Sequence, residues 1–356
     1  MMNPISTMAS ITSLKVLPEE FILQPDEREF FRNQRSGDLA FRTTAYYFSL
    51  INIKNPDDPI RKQCLPSSRE HNKLSVESSD PLAEKLYSPL PRLIHRYPSR
   101  VLIRLTGVCA MHCRFCYRRE LLDHETAPLE REDFQNILKY IQNQQEINEV
   151  LISGGDPLTL PNDVLEYYFS TLRKAAPHVV IRLCTRIPVV QPLRIDADLV
   201  GMLKKIKGLW VVTHYNHPRE LTDISCEKIA LLKEAGITIL NQSVLLKGIN
   251  DREEILLQLF RKLSHQGIKP YYLFQTDLAR GTTHFRVDLK RGINLYGALQ
   301  KKLSQLMLPV YALDLPQGGG KIQLNQNSII GKENDFYLLS DQQGRSYCYP
   351  VAEQLL

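Results

Sequence analysis

The sequence of 356 residues lacks any apolar run approaching the ~18 residues that a membrane-spanning helix needs. Its first segment, residues 1–17, also lacks the continuous apolar core of a signal peptide. The seven cysteines are an odd number, and those at positions 64, 184, 226 and 348 are scattered, so no disulfide framework is evident. These absences predict a soluble, cytoplasmic protein with reduced cysteines.

A strong excess of one charge is missing as well. The chain carries 45 basic and 39 acidic residues, for a net charge of +6. This mild and dispersed excess does not predict a nucleic-acid-binding module. No repeat at a fixed period is visible, which disfavours a solenoid. The hydrophobic content of 43% is ample for a globular core in one large domain or two small ones.

The densest chemistry lies in residues 106–119. Cys109, Cys113 and Cys116 follow C-x3-C-x2-C spacing directly after an apolar run. Three thiolates on one loop can hold three irons of a four-iron, four-sulfur cluster, which leaves the fourth iron open. A structural zinc site would need a fourth ligand, and His112 lies between two of the cysteines, where it would strain to reach the same metal. Inert buried cysteines are the remaining alternative, which this close spacing disfavours.

From residue 101 onward, short β-branched runs alternate with amphipathic stretches of helical period. This alternation predicts βα units and a parallel sheet. Each helical stretch opens with Asp or Ser, which predicts an N-terminal cap there. The predicted strands are 101–105, 149–152, 179–183, 209–213, 237–240, 271–274 and 310–313, and the predicted helices are 133–143, 163–175, 196–207, 225–235 and 251–266.

The chain divides into three predicted parts. Residues 1–90 are polar and proline-punctuated, which favours an N-terminal helical extension, with 43–50 as either helix or strand. Residues 91–315 hold the α/β core, approached through the proline-rich segment 88–100. Residues 316–356 form a short C-terminal β segment that includes a hairpin around Gln343-Gly344.

Polar residues follow six of the predicted strands, at the end where a barrel collects its chemistry. Gly154 and Gly155 allow a backbone to approach a ligand, and their N–H groups can bind a carboxylate. Two carboxylates on adjacent strands repel one another unless a cation lies between them, so Asp277 and Asp314 predict a slot for an ammonium group. The alternative for either aspartate is a helix cap or a solvated loop position. Beyond the cysteine loop, the polar ends are residues 153–157, His214, 241–243, 275–277 and Asp314.

A second distinctive stretch places three glycines, residues 318–320, before Lys321. It is not a phosphate-binding P-loop, because the G-x4-G-K-[S/T] spacing fails and Ile322 follows the lysine. A lysine desolvated at the mouth of a barrel can form a Schiff base with pyridoxal phosphate (PLP). The residues alone favour the simpler alternative, a solvated lysine on a flexible turn.

The cysteine motif followed by Gly-Gly-Asp-Pro resembles the radical S-adenosylmethionine (SAM) superfamily. There the open iron binds SAM, and an electron from the cluster cleaves it to a 5′-deoxyadenosyl radical. The resemblance favours a partial (βα)6 TIM-like barrel over a doubly wound open sheet, and it implies an electron donor such as flavodoxin or ferredoxin. It also implies contacts to SAM from Ser153, Gly154, Gly155, Asp156, His214 and Gln242.

Further stretches, 95–100, 153–157, 214–218, 241–246, 270–277 and 318–321, together resemble the lysine 2,3-aminomutase family. The resemblance implies that Lys321 binds PLP and that Arg118 pairs with the substrate α-carboxylate. Asp277 and Asp314 would face the substrate's side-chain ammonium, and the glutamate 2,3-aminomutases lack this acidic pair. The implied neighbours of the PLP phosphate are Arg96, Tyr97 and Arg100.

The implied enzyme is an isomerase, an intramolecular aminotransferase that interconverts L-lysine and β-lysine by 2,3-amino migration. It would use the 5′-deoxyadenosyl radical and a PLP aldimine, and a homo-oligomer is compatible with the resemblance. The first alternative is the branch that makes β-lysine for modifying elongation factor P. An RNA-modifying radical SAM enzyme would need a basic RNA-binding module. A non-enzymatic iron–sulfur carrier would need neither Lys321 nor the acidic pair.

Overall fold

The computed structural model describes residues 10–122 and 126–351. The outermost residues of the predicted N-terminal extension (1–90) and of the C-terminal segment (316–356) lie outside the described residues. The strands are β1 (Ser10–Ile11), β2 (Thr43–Thr44), β3 (Leu93–Tyr97), β4 (Arg100–Thr106), β5 (Glu149–Gly154), β6 (Val180–Cys184), β7 (Leu209–Thr213), β8 (Thr238–Val244), β9 (Lys269–Phe274), β10 (Val310–Leu315), β11 (Gly320–Gln323), β12 (Ile329–Glu333), β13 (Phe336–Ser340) and β14 (Ser346–Pro350).

The central sheet of the described residues has nine strands in the order β11-β10-β9-β8-β7-β6-β5-β4-β3. Strands β4 to β10 run parallel to one another, and they are the seven strands that the sequence predicted. The antiparallel strands β3 and β11 complete the two edges. The sheet is curled into a half-barrel, which confirms the predicted partial TIM-like fold.

The side chains of the strands point alternately to an outer face, which is covered by helices, and to an inner face, which lines a cavity. In β5, Val150 and Ile152 are buried in the hydrophobic core. Glu149, Leu151 and Ser153, one residue out of phase, line the cavity. Because side chains of a strand alternate with a period of two, one sequence supplies both the core and the site.

Helices pack on the outer face through stripes at helical spacing. The helix Arg131–Asn143, for example, buries Phe134, Ile137, Leu138 and Ile141. The helices are α1 (Pro25–Arg32), α2 (Ala45–Ser49), α3 (Pro59–Cys64), α4 (Arg131–Asn143), α5 (Asn162–Ala175), α6 (Ile187–Val190), α7 (Ala197–Lys204), α8 (Asp223–Glu234), α9 (Glu253–His265) and α10 (Leu289–Gln300). In the described residues, none of them combines the length and the apolarity that a bilayer span needs.

The predicted caps were right for one helix and wrong for the others. Asp196 accepts a hydrogen bond from the Leu199 N–H at the start of α7. Helix α8 is instead capped by Thr222, three residues before its predicted start. Helices α4, α5 and α9 begin without a side-chain cap. Their acidic residues lie inside the first turn, where a negative charge still stabilises the helix dipole.

Several short or peripheral elements were missed by the sequence patterns. Part of the segment 88–100, predicted as an approach, forms β3, and no helix was predicted where α10 lies. The predicted hairpin is confirmed as β13 and β14, but β12 adds a third strand to it. Residues 43–50 hold both candidate structures, since β2 is followed directly by α2. The short β11 begins in a glycine run, which carries no alternation to mark it.

The N-terminal extension packs directly on the cysteine loop. The Arg114 guanidinium donates to the Glu70 carboxylate at 2.7 Å and to the carbonyl of Leu39 at 3.0 Å. The backbone N–H of Arg114 donates to the Gln63 carbonyl, and that of His112 donates to the Arg42 carbonyl. One hydrophobic core includes residues of all three predicted parts, so the boundaries at residues 90 and 315 stay predictions.

Replacing Glu70 by glutamine should lower the free energy of unfolding by about 3–5 kcal/mol, because Arg114 and Arg119 would remain buried without their carboxylate. Burial by itself would raise the pKa of Glu70, but the two guanidinium groups lower it to about 2. Its contribution to stability is therefore present above about pH 4.5 and is lost as the pH falls towards 2.

Chemical denaturation measures this loss. Glu166→Gln is the matched control, because Glu166 pairs with Lys205 at the surface, and we expect a change within about 0.5 kcal/mol there. An equal effect of the two substitutions would contradict the prediction that Glu70 stabilises the fold by pairing with Arg114 and Arg119.

Candidate active site

A cavity of about 430 Å³ opens inside the half-barrel, enclosed by the strand ends and the cysteine loop. Every residue for which a cluster, cofactor or substrate role was predicted contributes to its wall. Fold topology thus brings together positions that are more than 200 residues apart in the chain. These residues are Arg96, Tyr97, Arg100, Cys109, Cys113, Cys116, Arg118, Ser153, Gly154, Gly155, Asp156, His214, Gln242, Asp277, Asp314 and Lys321. Of the predicted polar strand ends, Pro157, Asn241, Ser243 and Gln275 do not contribute to the wall.

The three cysteines lie on one turn that faces the cavity. The Cys116 N–H donates to the Cys113 carbonyl at 3.0 Å, which closes the turn between these two residues. All three thiols are partly exposed, and all three line the cavity wall. Three thiols of one loop that open on one space match the donor set of a [4Fe–4S] cluster with an open iron.

The glycines of the Gly-Gly-Asp-Pro segment are required by a close approach of two backbones. The Gly155 N–H donates to the Thr106 carbonyl at 2.6 Å, immediately before the cysteine loop. A Cβ at Gly155 would lie 2.3 Å from the Val108 carbonyl oxygen, and one at Gly154 would lie 2.2 Å from that of Thr106. The end of β5 therefore packs against the start of the cysteine loop without space for side chains.

The Asp156 carboxylate already has three protein donors. It accepts hydrogen bonds from the Thr185 hydroxyl at 2.7 Å, from the Arg186 N–H at 2.7 Å and from the Leu158 N–H at 3.1 Å. Burial raises its pKa to about 6, against the opposing effect of these bonds. Asp156 thus joins the end of β5 to the end of β6, in addition to lining the cavity.

Arg186 is a site residue that sequence reasoning missed. Its Nη1 donates to the Cys113 Sγ at 2.8 Å, and its Nη2 donates to Glu220 at 2.8 Å. Its position could have revealed it. Arg186 lies two residues after β6, and β6 was the one predicted parallel strand without a predicted polar end.

The corner between the two sheet edges has the character of a phosphate site. The Arg100 guanidinium lies 3.8 Å from the centre of the Tyr97 ring. The Arg96 Nη1 donates to the Leu82 carbonyl, but its buried Nη2 has no hydrogen-bond acceptor among the described residues. A buried guanidinium nitrogen without an acceptor is costly unless an anion binds it, so this corner fits the phosphate of PLP.

Lys321 lies in β11 and is mostly buried, so the expectation of a solvated lysine on a flexible turn was wrong. Its Nζ lies 2.5 Å from Asp314 Oδ2, because the two residues are register partners of β10 and β11. The Lys321 N–H donates to the Tyr97 hydroxyl at 3.0 Å. Lys321 therefore contacts Tyr97 through its backbone and Asp314 through its amine.

Asp277 completes the acidic pair. Burial raises the pKa of Asp277 to about 8, and the nearby Asp314 carboxylate adds to the rise, while Lys321 opposes it. This carboxyl therefore binds a proton at a higher pH than an ordinary aspartate does.

The Arg118 guanidinium is held by a carboxylate that the sequence did not predict. Its Nη2 donates to Glu84 at 2.6 Å, and its Nε donates to the same carboxylate at 3.1 Å. The Nη1 donates to the Ser153 hydroxyl at 3.2 Å on the cavity wall. Although burial opposes it, Arg118 lowers the pKa of Glu84. The guanidinium thus binds Glu84 through Nε and Nη2, while Nη1 contacts Ser153 on the inner face of β5.

His214 and Gln242 lie on the wall beside the cysteine loop. The His214 ring packs at 5.5 Å on the Phe115 ring, and its Nε2 lies 3.2 Å from the Asn216 side-chain oxygen. Burial lowers the pKa of His214 to about 3, so its imidazole is neutral at neutral pH. Both residues are polar groups that offer hydrogen bonds without a charge.

This chain is similar to several known proteins. The profile of the radical SAM superfamily matches residues 103–260. The chain is 40% identical over 316 residues to L-lysine 2,3-aminomutase of Clostridium subterminale, covering 88% of this chain and 76% of that one. It is 34% identical over 336 residues to glutamate 2,3-aminomutase of Clostridioides difficile, covering 94% and 79%. Among solved structures, Streptococcus suis SuiB bound to S-adenosylmethionine is 16% identical and has a TM-score of 0.48, covering 61% and 51%.

Replacing Gly155 by alanine should destabilise the protein by about 1–3 kcal/mol or more, because the new Cβ would meet backbone atoms of the cysteine loop rather than a movable side chain. Thermal and chemical unfolding measure the loss, and iron bound per chain after reconstitution reports the displaced loop.

Gly201→Ala is the matched control, because Gly201 lies in α7 with no atom within 4 Å of its added Cβ. It should stabilise the chain by up to about 1 kcal/mol. Full stability and full iron content in Gly155→Ala would show that the contact between β5 and the loop is dispensable.

Proposed function

This chain belongs to the lysine 2,3-aminomutase family of the radical SAM superfamily, and from that premise we propose that it interconverts L-lysine and β-lysine. Family membership makes it a radical SAM aminomutase, an isomerase, and implies a [4Fe–4S] cluster and SAM. The use of PLP, the choice of lysine and the roles of individual residues are our proposals.

The observation that carries the choice of lysine is the partly buried acidic pair beside Lys321. Asp277 and Asp314 lie in the same cavity wall, and the Asp314 carboxylate contributes to the raised pKa of Asp277. A side-chain ammonium beside Asp277 would favour its ionised form and pair with it, whereas the side-chain carboxylate of glutamate would meet like charge there. Arg118, which lies close enough to Asp277 to lower its pKa, supplies the opposite charge for the α-carboxylate. The charges of lysine thus find complementary partners at both ends.

Lys321, Arg96, Tyr97 and Arg100 form the proposed PLP site. The Lys321 amine would hold the cofactor covalently, and the two arginines would bind its phosphate. Tyr97 accepts a hydrogen bond from the Lys321 backbone. It would thereby orient the lysine between the proposed phosphate-binding arginines and the acidic pair. When bound, PLP supplies a conjugated ring that stabilises an unpaired electron during migration of the amino group.

Cys109, Cys113 and Cys116 form the proposed cluster site, and the wall from Ser153 to Asp156 with His214 and Gln242 forms the proposed SAM site. When bound, the reduced cluster and SAM supply the radical that removes a hydrogen from the substrate. The chain contributes orientation and the exclusion of water from that radical. Phe115, buried between Cys113 and the core residues Leu246 and Phe285, closes this side of the cavity.

A product assay tests the proposal. Protein reconstituted anaerobically with iron, sulfide and PLP, then supplied with SAM, a reductant and L-lysine, should form β-lysine that chromatography detects. Cys113→Ala and Lys321→Ala should each abolish the product, and Lys321→Ala should also remove the Schiff-base absorbance of PLP while leaving the cluster spectrum intact.

Cys348→Ala is the control, because Cys348 is exposed and is not part of the cavity wall. SAM cleavage without β-lysine, or turnover of L-glutamate instead, would reject lysine as the substrate. Formation of β-lysine would satisfy both a free-lysine pathway and the elongation factor P pathway, since both require the same product.

Binding of an ammonium ligand should release a proton from Asp277. Below about pH 8 this carboxyl is protonated in the unliganded site, and a neighbouring cation favours its ionised form. Affinity should therefore rise by up to about tenfold per pH unit between about pH 6 and 8, then level off. The probe is 6-aminohexanoate, which has the two charged ends of lysine but no α-amino group, and calorimetry in buffers of different ionisation enthalpy counts the protons.

Asp277→Asn should abolish the proton release and flatten the pH dependence. Hexanoate, which lacks the ammonium group, should bind weakly and release no proton in either protein. Release of a proton by the Asp277→Asn variant, or pH-independent binding by the unchanged protein, would be inconsistent with an ammonium slot at Asp277.

A further inference from the structure

Arg186 is the buried cation that lies against a cysteine of the proposed cluster loop. Its backbone N–H donates to Asp156, and its Nε donates to the His214 carbonyl at 3.2 Å. Its Nη2 donates to Glu220 at 2.8 Å and to the Gln63 side-chain oxygen at 2.7 Å. These contacts hold the guanidinium in one orientation, with Nη1 directed at the Cys113 Sγ at 2.8 Å.

The Glu220 carboxylate, which balances the charge of Arg186, also accepts hydrogen bonds from other donors. Glu220 is fully buried, and its Oε1 also accepts a hydrogen bond from the Tyr47 hydroxyl at 2.6 Å. Its Oε2 accepts from the backbone N–H groups of Asn216 and His217, at 2.6 and 2.9 Å. The Glu84 carboxylate, in contrast, binds two nitrogens of Arg118. Part of the positive charge of Arg186 is therefore left to act on Cys113.

We propose that Arg186 is a positioning residue that raises the reduction potential of the [4Fe–4S] cluster through its hydrogen bond to the Cys113 sulfur. The inference rests on the cluster assignment made under the proposed function. A one-electron reduction adds a negative charge to the cluster while the number of its ligands stays the same. A fixed cation and a hydrogen bond on a ligand sulfur stabilise that more negative state, so less driving force is needed from the electron donor.

The same contacts couple the cluster to the N-terminal extension. Gln63 and Tyr47 belong to α3 and α2, and both contact the guanidinium or its carboxylate partner. Burial keeps water away from the group, since Arg186 is only 8% exposed, and this strengthens its electrostatic effect on the sulfur. The extension thus orients the side chain that acts on Cys113.

A redox titration of the anaerobically reconstituted, SAM-free protein tests the inference. Dithionite is the one-electron donor, and electron paramagnetic resonance of the reduced cluster gives the midpoint potential, with iron and sulfide counted per chain. Arg186→Gln should shift the midpoint to a more negative potential, because it removes the charge. Arg186→Lys should keep a midpoint closer to that of the unchanged protein, because it retains the charge.

Glu220→Gln should shift the midpoint in the opposite direction, because it removes the negative partner and leaves the guanidinium less compensated. Arg286→Gln is the matched control, since Arg286 is equally buried and paired with Glu77 at 2.7 Å but is not part of the cavity wall. It should lower the melting temperature and leave the midpoint unchanged.

An unchanged midpoint in Arg186→Gln with full iron content would overturn the inference. If that variant loads no iron, the decision passes to Glu220→Gln, where an unchanged midpoint would overturn it equally. Failure of the unchanged protein to assemble a cluster would instead overturn the proposed function, so the two failures are distinguishable.

Discussion

The site depends on a contact between two backbones, where the end of β5 meets the start of the cysteine loop. The N–H groups of Gly155 and Asp156 donate to the carbonyls of Thr106 and Val108, and no Cβ fits between the chains at Gly154 or Gly155. Parallel pairing of β4 with β5 sets the register of this contact. It fixes where the loop leaves the sheet, and therefore where the three cysteines open on the cavity.

A second constraint is the cost of burying charge, which the cavity meets with partners from distant segments. Arg118 pairs with Glu84 of the extension, Arg186 pairs with Glu220, and Lys321 pairs with Asp314 on the neighbouring strand. Each pair would be expensive to bury without its partner, so the segments that supply the partners are held in place. Asp277 is the exception, because its pKa rises instead and a proton takes the place of a cation. This difference supports the proposal that an ammonium ligand binds beside Asp277.

The two edges of the central sheet form a further functional unit. In a closed barrel the first and last strands would pair, but here the edges are the antiparallel strands β3 and β11. Arg96 and Tyr97 lie on β3, and Lys321 lies on β11. The Tyr97 hydroxyl and the Lys321 backbone N–H meet across the open side of the half-barrel. The incomplete barrel therefore leaves space for a large cofactor that a closed barrel would fill with side chains.

The sequence by itself determined the cysteine spacing, the seven parallel strands and the polar ends of those strands, because each is a local pattern of period or motif. These patterns predicted the parallel sheet and the polar edge at its strand ends. The half-barrel and the roles of Arg96, Tyr97 and Arg118 were predicted only through the resemblance to a known family. The N-terminal caps and the short edge strands were less predictable, since single residues outside a periodic pattern decide them. Only the tertiary structure decided that Glu84 holds Arg118, that Arg186 contacts Cys113 and that Asp314 pairs with Lys321. These contacts join distant segments. They depend on strand register and barrel curvature, which local sequence patterns do not determine.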